Sequence, residues 1–539
     1  MPAIRHLTSR HGTREFLHAA STYLEMGMSS FLRSAHRVRI VPLAAILIFV
    51  LAACGGGSSG SSSPGVAAAK FEPGPCPSRV ASSPAFANAQ CGQLIVPENR
   101  HKANLKTISI SVAIIPSITQ PPQHEPVFYI AGGPGGDAMG DAEFLVPTLN
   151  QTQDLIVSAQ RGTLDATPAL LCPEIDAFNA EAVSLVYDAP STGVLHVAAT
   201  KSCHDRLVSE GVDLSAYNTF ENIEDFMDLR RLLKVHKWSI FGTSYGTYVA
   251  LSLMRIHPEN LVSVTIDSIT PPSVVSLGWT WSSAGEGFNN LFDACAAQPS
   301  CAAKYGDVRS KFTSQVQQLE ANPITVTSQY KPGGPPVKVV LDGGALVNWF
   351  VAGGRSLFAA VPSAIQELVN GNPVQIAANR AALANPATES TQGYGLTYGV
   401  FCSEWIPYEP QSEILAKGLI AFPEYPDSVL SQAPQLPFAT EDCAVWDVPK
   451  APASIRDVTT SSIPTLVIDG TFDAKTSPMW ATYAAKTLSD STTIIIPGIG
   501  HLVTPQSPCA QTVVQEFLAD PTTPPDTSCV AKLTPPPFQ

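Results

Sequence analysis

The chain has 539 residues, 45% of them hydrophobic and 14% charged, with 47 prolines and 37 glycines. That composition describes a large globular protein with a substantial core, built as one big domain with an insertion or as two domains. The formal charge is −13, and the arginines of the first 53 residues leave the remainder more acidic still, which argues against nucleic acid as a partner.

The N-terminus reads as a targeting segment. Arg33, Arg37 and Arg39 precede an apolar run from Ile40 to Ala53, which closes as Leu51-Ala52-Ala53-Cys54-Gly55. The run is short for a membrane span but suits the core of a signal peptide, so 1–53 are expected to be one. Leu-Ala-Ala-Cys is similar to a bacterial lipoprotein processing box, in which Cys54 is lipidated and becomes the first mature residue. An ordinary cleaved signal peptide is the alternative. Residues 54–75 read as a flexible Gly/Ser linker. The expected location is the bacterial cell envelope, through a lipid anchor, or the secreted fraction.

Without Cys54, ten of the 11 cysteines remain, an even number in a chain that leaves the cytoplasm. Proximity suggests Cys76–Cys91, Cys172–Cys203, Cys295–Cys301, Cys402–Cys443 and Cys509–Cys529, although spacing alone does not fix the connectivity. No Cys-x-x-Cys or His-x-x-x-His is present, so no zinc is expected, nor any other metal or cofactor.

In chain order, Cys76 to Val96 reads as a cysteine-tied entry segment. Thr107 to Ile115 alternates like a half-buried strand, and Pro126 to Ile130 is a short apolar strand. The latter runs into Ala131-Gly132-Gly133-Pro134-Gly135-Gly136. No Gly-Lys-Ser/Thr follows, which excludes a phosphate-binding P-loop. Asp154 to Ser158 is the next strand, leading to Gln160-Arg161-Gly162, and Glu221 to Lys234 has near-helical spacing. Trp238 to Phe241 is a strand that turns sharply through Gly242-Thr243-Ser244-Tyr245-Gly246 into a helix. Leu261 to Ile266 is a further strand, ending at Asp267. From 271 to 461 the alternation stops. A hairpin around Lys331 to Pro335 and helical runs such as Ser356 to Asn370 read as an inserted cap between core segments 76–270 and 462–539. Alternation then resumes with a strand from Pro464 to Gly470, a loop to Asp473, a helix from Pro478, a strand from Thr492 to Ile496, and the loop Pro497-Gly498-Ile499-Gly500-His501. A final helix carries Val513, Val514, Phe517 and Leu518. Alternating strands and helices predict a mainly parallel sheet with its site at the strands' carboxyl ends.

Gly-x-Ser-x-Gly between a strand and a helix is the pattern of a nucleophile elbow, with a serine held on a strained turn. The order Ser244, Asp473, His501 supplies nucleophile, acid and base, each just beyond a strand. A serine hydroxyl is a poor nucleophile without a neighbouring base, and the base needs an acid to orient it. Asp469 competes for the acid role but lies inside its strand. The N–H of Tyr245 and one from the glycine turn are expected to form the oxyanion hole. Pro134 has no N–H, which makes Gly133 the first choice and Gly135 the second.

Gly132-Gly133-Pro134-Gly135, Gln160-Arg161-Gly162, Gly242-Thr243-Ser244-Tyr245-Gly246, Cys295/Cys301, Gly470-Thr471-Phe472-Asp473 and Gly498-Ile499-Gly500-His501 occur together here. In this set the chain resembles the exported tripeptidyl-aminopeptidase branch of the proline iminopeptidase family of α/β-hydrolases, from about Cys76 to Cys529. The resemblance implies an α/β-hydrolase fold with a largely helical cap. It also implies a serine exopeptidase that releases single residues or short peptides from free N-termini, with carboxylesterases as relatives using the same triad. Two departures bear on substrate preference: Ala131 stands where the family usually has His, and Ala159 to Leu164 replaces Asp-Gln-Arg-Gly-x-Gly.

An exopeptidase needs a group that measures distance from the charged amine. Glu404, two residues after Cys402 and beside Trp405, is the candidate, with Glu441 and Asp442 as rivals. Three readings stand: an exopeptidase acting on peptides, a carboxylesterase, and a non-catalytic surface lipoprotein.

Overall fold

The computed structural model describes residues 67–539 except 104, 354–356 and 387–389. The expected signal peptide, Cys54 and the linker as far as residue 66 lie outside the described residues. The linker expected over 54–75 gives way to structure sooner. Lys70–Gly74 is strand β1, paired antiparallel with Gln90–Pro97, strand β2. Phe71 packs its ring over Gly92, and the Cys76–Cys91 disulfide closes the connection between the two strands.

The further strands of the central sheet are β3 (Thr107–Ile115), β4 (Val127–Ile130), β5 (Leu155–Ser158), the short β6 (Ala166–Thr167), β7 (Trp238–Thr243), β8 (Leu261–Asp267), β11 (Thr465–Gly470) and β12 (Ser491–Ile496). They are ordered β1-β2-β3-β5-β4-β7-β8-β11-β12, and β6 pairs with β3 off this path. The pairings from β1 to β5 are antiparallel, and every pairing from β5 through β4, β7, β8 and β11 to β12 is parallel.

The inner parallel strands β4, β5, β7, β8 and β11 are almost wholly buried, which is why their sequences are mainly apolar, whereas the edge strand β12 is partly exposed. Side chains of alternating parity separate into two cores. Phe128, Ile130, Ile240, Val264 and Val467 pack with the helices Thr219–Leu232, Tyr245–Ile256 and Pro478–Ala485. Val127, Tyr129, Phe241, Leu466 and Ile468 pack with the helices Ala138–Leu149 and Pro508–Ala519.

Between β8 and β11 the chain leaves the sheet and builds a third core. Its centre is aromatic: Phe288 stacks on Phe350 at 3.8 Å between ring centroids, with Phe312 edge-on to both. The hairpin expected around Lys331 to Pro335 forms from β9 (Ile324–Gln329) and β10 (Pro336–Leu341), and the remainder is helical. All five suggested disulfides form. No helix among the described residues is long and apolar enough to cross a membrane.

Candidate active site

Strand β7 delivers the chain to Ser244, whose backbone takes φ 54° and ψ −122°. This is a costly conformation for a non-glycine residue, and it persists because the surroundings over-determine it. The Ser244 N–H donates to the Asp267 carbonyl at 3.0 Å, and the Ser244 carbonyl accepts from the Thr247 N–H and hydroxyl. The glycines on either side are steric necessities. A Cβ at Gly242 would lie 2.6 Å from the Gly246 carbonyl oxygen, and one at Gly246 would overlap the Ile130 carbonyl. At Gly132, across the turn, a Cβ would sit 2.8 Å from that of Ser244. The helix Tyr245–Ile256 begins at once, so its first amides have no intrahelical acceptor and face the same end of the sheet.

His501 follows β12, and its Nδ1 donates to Asp473 Oδ2 at 2.7 Å. Asp473 is fully buried and accepts three further hydrogen bonds, from the backbone N–H groups of Lys475 and Thr476 and from the Thr476 hydroxyl. Burial alone would raise its pKa. The charge and hydrogen bond of His501, with the donors of Thr476, outweigh this and hold it at about 2. An ionised Asp473 can only accept, which fixes the proton of His501 on Nδ1 and turns Nε2 into the free lone pair. Asp469, the rival acid, is buried with Oδ1 on the Gly470 N–H and makes no bond to His501.

Ser244 and His501 line one cavity of about 540 Å³, with Gly132, Gly133, Tyr245 and Thr476 on the sheet side. The insertion supplies the opposite wall, including Trp279, Asn348, Tyr394, Phe401 and Trp405. It also holds the glycine-rich turn directly. Pro134 O accepts from Gln392 Nε2 at 2.7 Å and from Thr397 Oγ1 at 2.8 Å, and Gly135 O accepts from the Gly393 N–H at 2.8 Å. Gly133 lines the cavity with φ +111°, while Gly135, the second choice for the oxyanion hole, is turned against Gly393 and Thr397.

Glu404, the candidate for the substrate's amine, sits apart from the cavity wall. It lies in a π-helical turn, Phe401–Trp405, whose backbone the Cys402–Cys443 disulfide ties down, yet its side chain is fully buried and does not line the cavity. Oε1 accepts from the Thr219 N–H at 2.8 Å and Oε2 from the Thr219 hydroxyl at 2.7 Å, and that hydroxyl lies 2.8 Å from the Tyr245 phenol. The carboxylate therefore braces the elbow helix from behind. Burial raises its pKa to about 7 against the opposing bonds from Thr219. Of the rivals, Asp442 is buried against the Tyr398 hydroxyl and His196, and neither it nor Glu441 lines the cavity.

Three residues gain roles that sequence reading did not give them. Asp267 carries the carbonyl that accepts from Ser244, and its carboxylate accepts the N–H groups of Val503 and Thr504 at 2.9 and 2.7 Å. One buried residue thus ties the serine turn to the histidine loop. Thr476 bridges Asp473 and His501, and the only trace in the sequence is a Thr three residues after an Asp, the spacing of a side chain closing its own turn. Arg161, from the Gln-Arg-Gly motif, is a structural clamp. It is completely buried, bidentate to Asp225 at 2.8 Å, and caps the carbonyls of Glu98 and Ala216.

Residues 433–529 match the family model described as TAP-like protein, a span that contains both Asp473 and His501. No curated protein matches the sequence. Among solved structures, proline iminopeptidase from Mycobacterium smegmatis is 14% identical with a TM-score of 0.35, over 77% of this chain and 95% of that one. A proline iminopeptidase-related protein from Thermus thermophilus is 15% identical at a TM-score of 0.33, covering 80% and 98%. A thermophilic esterase from Thermogutta terrifontis is 14% identical at 0.32, covering 77% and 95%. Strand order, elbow, and an insertion over the carboxyl ends of the parallel strands together make this an α/β-hydrolase fold with a largely helical insert.

Proposed function

We propose that the chain is a serine hydrolase working through an acyl-enzyme, and within that class an exopeptidase acting on free peptide N-termini. The observation that carries the hydrolase reading is the Asp473–His501 bond of 2.7 Å beside a strained Ser244 in the same cavity. His501 Nε2 takes the Ser244 proton as the hydroxyl attacks the scissile carbonyl. The amides of Tyr245 and Gly133 meet the developing oxyanion. His501 then returns the proton to the leaving group, and Asp473 stabilises the imidazolium throughout. Each oxyanion donor typically contributes about 2.7–4 kcal/mol to lowering the barrier.

A cavity walled by the insertion on the side facing the sheet suits a chain end better than the middle of a long polypeptide, which supports the exopeptidase reading. A carboxylesterase is the second reading, favoured by the burial of Glu404 away from the cavity. The five disulfides fit an oxidising compartment and support export, with Cys54 as the proposed anchor.

The test is a panel of chromogenic peptides with free and blocked N-termini alongside short acyl esters, run with wild type and Ser244→Ala. The free-amine peptides are expected to turn over fastest, and Ser244→Ala to lose at least about a thousandfold on every substrate. Turnover confined to esters would establish the second reading. Undiminished turnover by Ser244→Ala would remove the mechanism.

A further inference from the structure

Lys475 is, among the described residues, the one lysine on the wall of the catalytic cavity, and nothing in the triad chemistry uses it. Its backbone is pinned beside the catalytic pair: its own N–H donates to Asp473 Oδ1 at 2.7 Å, and the next residue bridges Asp473 and His501. Its side chain is half-buried. Asp473 is the nearby counter-charge, but its two oxygens already accept four hydrogen bonds, which fills the capacity of a carboxylate. Lys475 forms no ion pair among the described residues, and the remaining carboxylate on the cavity wall, Asp141, belongs to the helix that follows the glycine-rich turn. Burial lowers the lysine's pKa and Asp473 only partly opposes this, the mark of a cation short of compensation. A half-buried ammonium without a partner gains most from an anion brought by a ligand.

We infer that Lys475 receives a carboxylate on the leaving-group half of the substrate, so that the site prefers substrates whose departing portion is anionic. The side of the cavity follows from the chemistry. His501 must protonate the leaving group, so that half of the substrate lies against His501, and Lys475 is tied to His501 through Asp473 and Thr476. In a peptide the anion is the C-terminal carboxylate of a short leaving portion or an acidic side chain within it. This inference rests on the serine-hydrolase reading above.

The test compares 4-nitrophenyl acetate with 3-carboxy-4-nitrophenyl acetate, each rate divided by its uncatalysed hydrolysis. Wild type is expected to favour the carboxylated ester by about tenfold or more in kcat/KM. Lys475→Gln should bring the ratio near one, and Lys475→Arg should keep most of it. Raising salt from about 0.05 to about 1 M should compress the wild-type ratio, which needs no variant to fold. Peptides with free or amidated C-termini, and with Ala or Glu in the leaving portion, distinguish the two sources of the anion. A ratio unchanged in Lys475→Gln, or a wild-type ratio near one, overturns the inference while leaving the hydrolase intact. Hydrolysis of neither ester nor any peptide would instead overturn the hydrolase reading.

Discussion

Glu404 illustrates what a single residue's surroundings decide. From the sequence it is an acid beside an aromatic residue in the insertion, the right type for holding a charged amine. Folded, it is bonded to Thr219, 185 positions away, and that partner could not be read from local pattern. Its pKa of about 7 has a definite sign in stability. Between the ordinary carboxylate value of about 4.5 and about 7, the native protein binds a proton that the unfolded chain lacks. Stability from this group is therefore lost as pH rises through that window. At about 1.36 kcal/mol per unit, the effect is at most roughly 3 kcal/mol. Glu404→Gln removes it, so the melting temperature of the variant relative to wild type should rise from pH 5 to pH 8. Asp188, also raised to about 7 by burial and its acidic neighbours, acts in the same direction in both proteins and cancels in the difference. Parallel melting profiles would show that Glu404 does not carry the proton. Because it braces Thr219 and Tyr245, the same variant should slow peptide and ester hydrolysis alike. A loss confined to free-amine peptides would return it to the amine-binding role.

The elements that carry the site were legible because each proposed triad residue lies within a few residues of the end of a strand, in or just after a glycine-containing turn. β11 and β12 announce themselves as short β-branched runs and β7 as a short run rich in aromatic and aliphatic residues, and the chain order of Ser244, Asp473 and His501 follows from where those runs stop. The coupling between the turns was not legible, since it runs through β8. Asp267, at the end of that strand, holds the serine turn with its carbonyl and the histidine loop with its carboxylate. Asp267→Asn presents an amide N–H to one of two N–H donors and should let the loop shift. Displacements of about 1 Å can lower rates by about a hundredfold. The expected result is a fall of tenfold or more in kcat per phosphonate-titrated site, with KM changed less than about threefold. A kcat equal to that of wild type would show that the loop is held without Asp267.

At the scale of the described chain, the parallel sheet and the interruption at the insertion were visible in the sequence, and proximity suggested the five cysteine pairs without fixing them. The strongest reason is that apolar periodicity and an even cysteine count both leave compositional marks. What sequence could not place were contacts made by folding the insertion back over the sheet. Gln392, Gly393 and Thr397 hold the carbonyls of a turn more than 250 residues earlier, and β1 is organised by packing Phe71 over Gly92 rather than by its own pattern. Those contacts shape the cavity, whereas its chemistry is assigned to the proposed triad of Ser244, His501 and Asp473. The most direct measurement of that chemistry is labelling of the folded protein with a fluorophosphonate, followed by mass spectrometry of the modified peptide. The account predicts one phosphonylated residue, Ser244, with labelling abolished in Ser244→Ala and strongly slowed in His501→Ala, while circular dichroism stays unchanged. Labelling that persists in Ser244→Ala, or that maps to another serine, would contradict it.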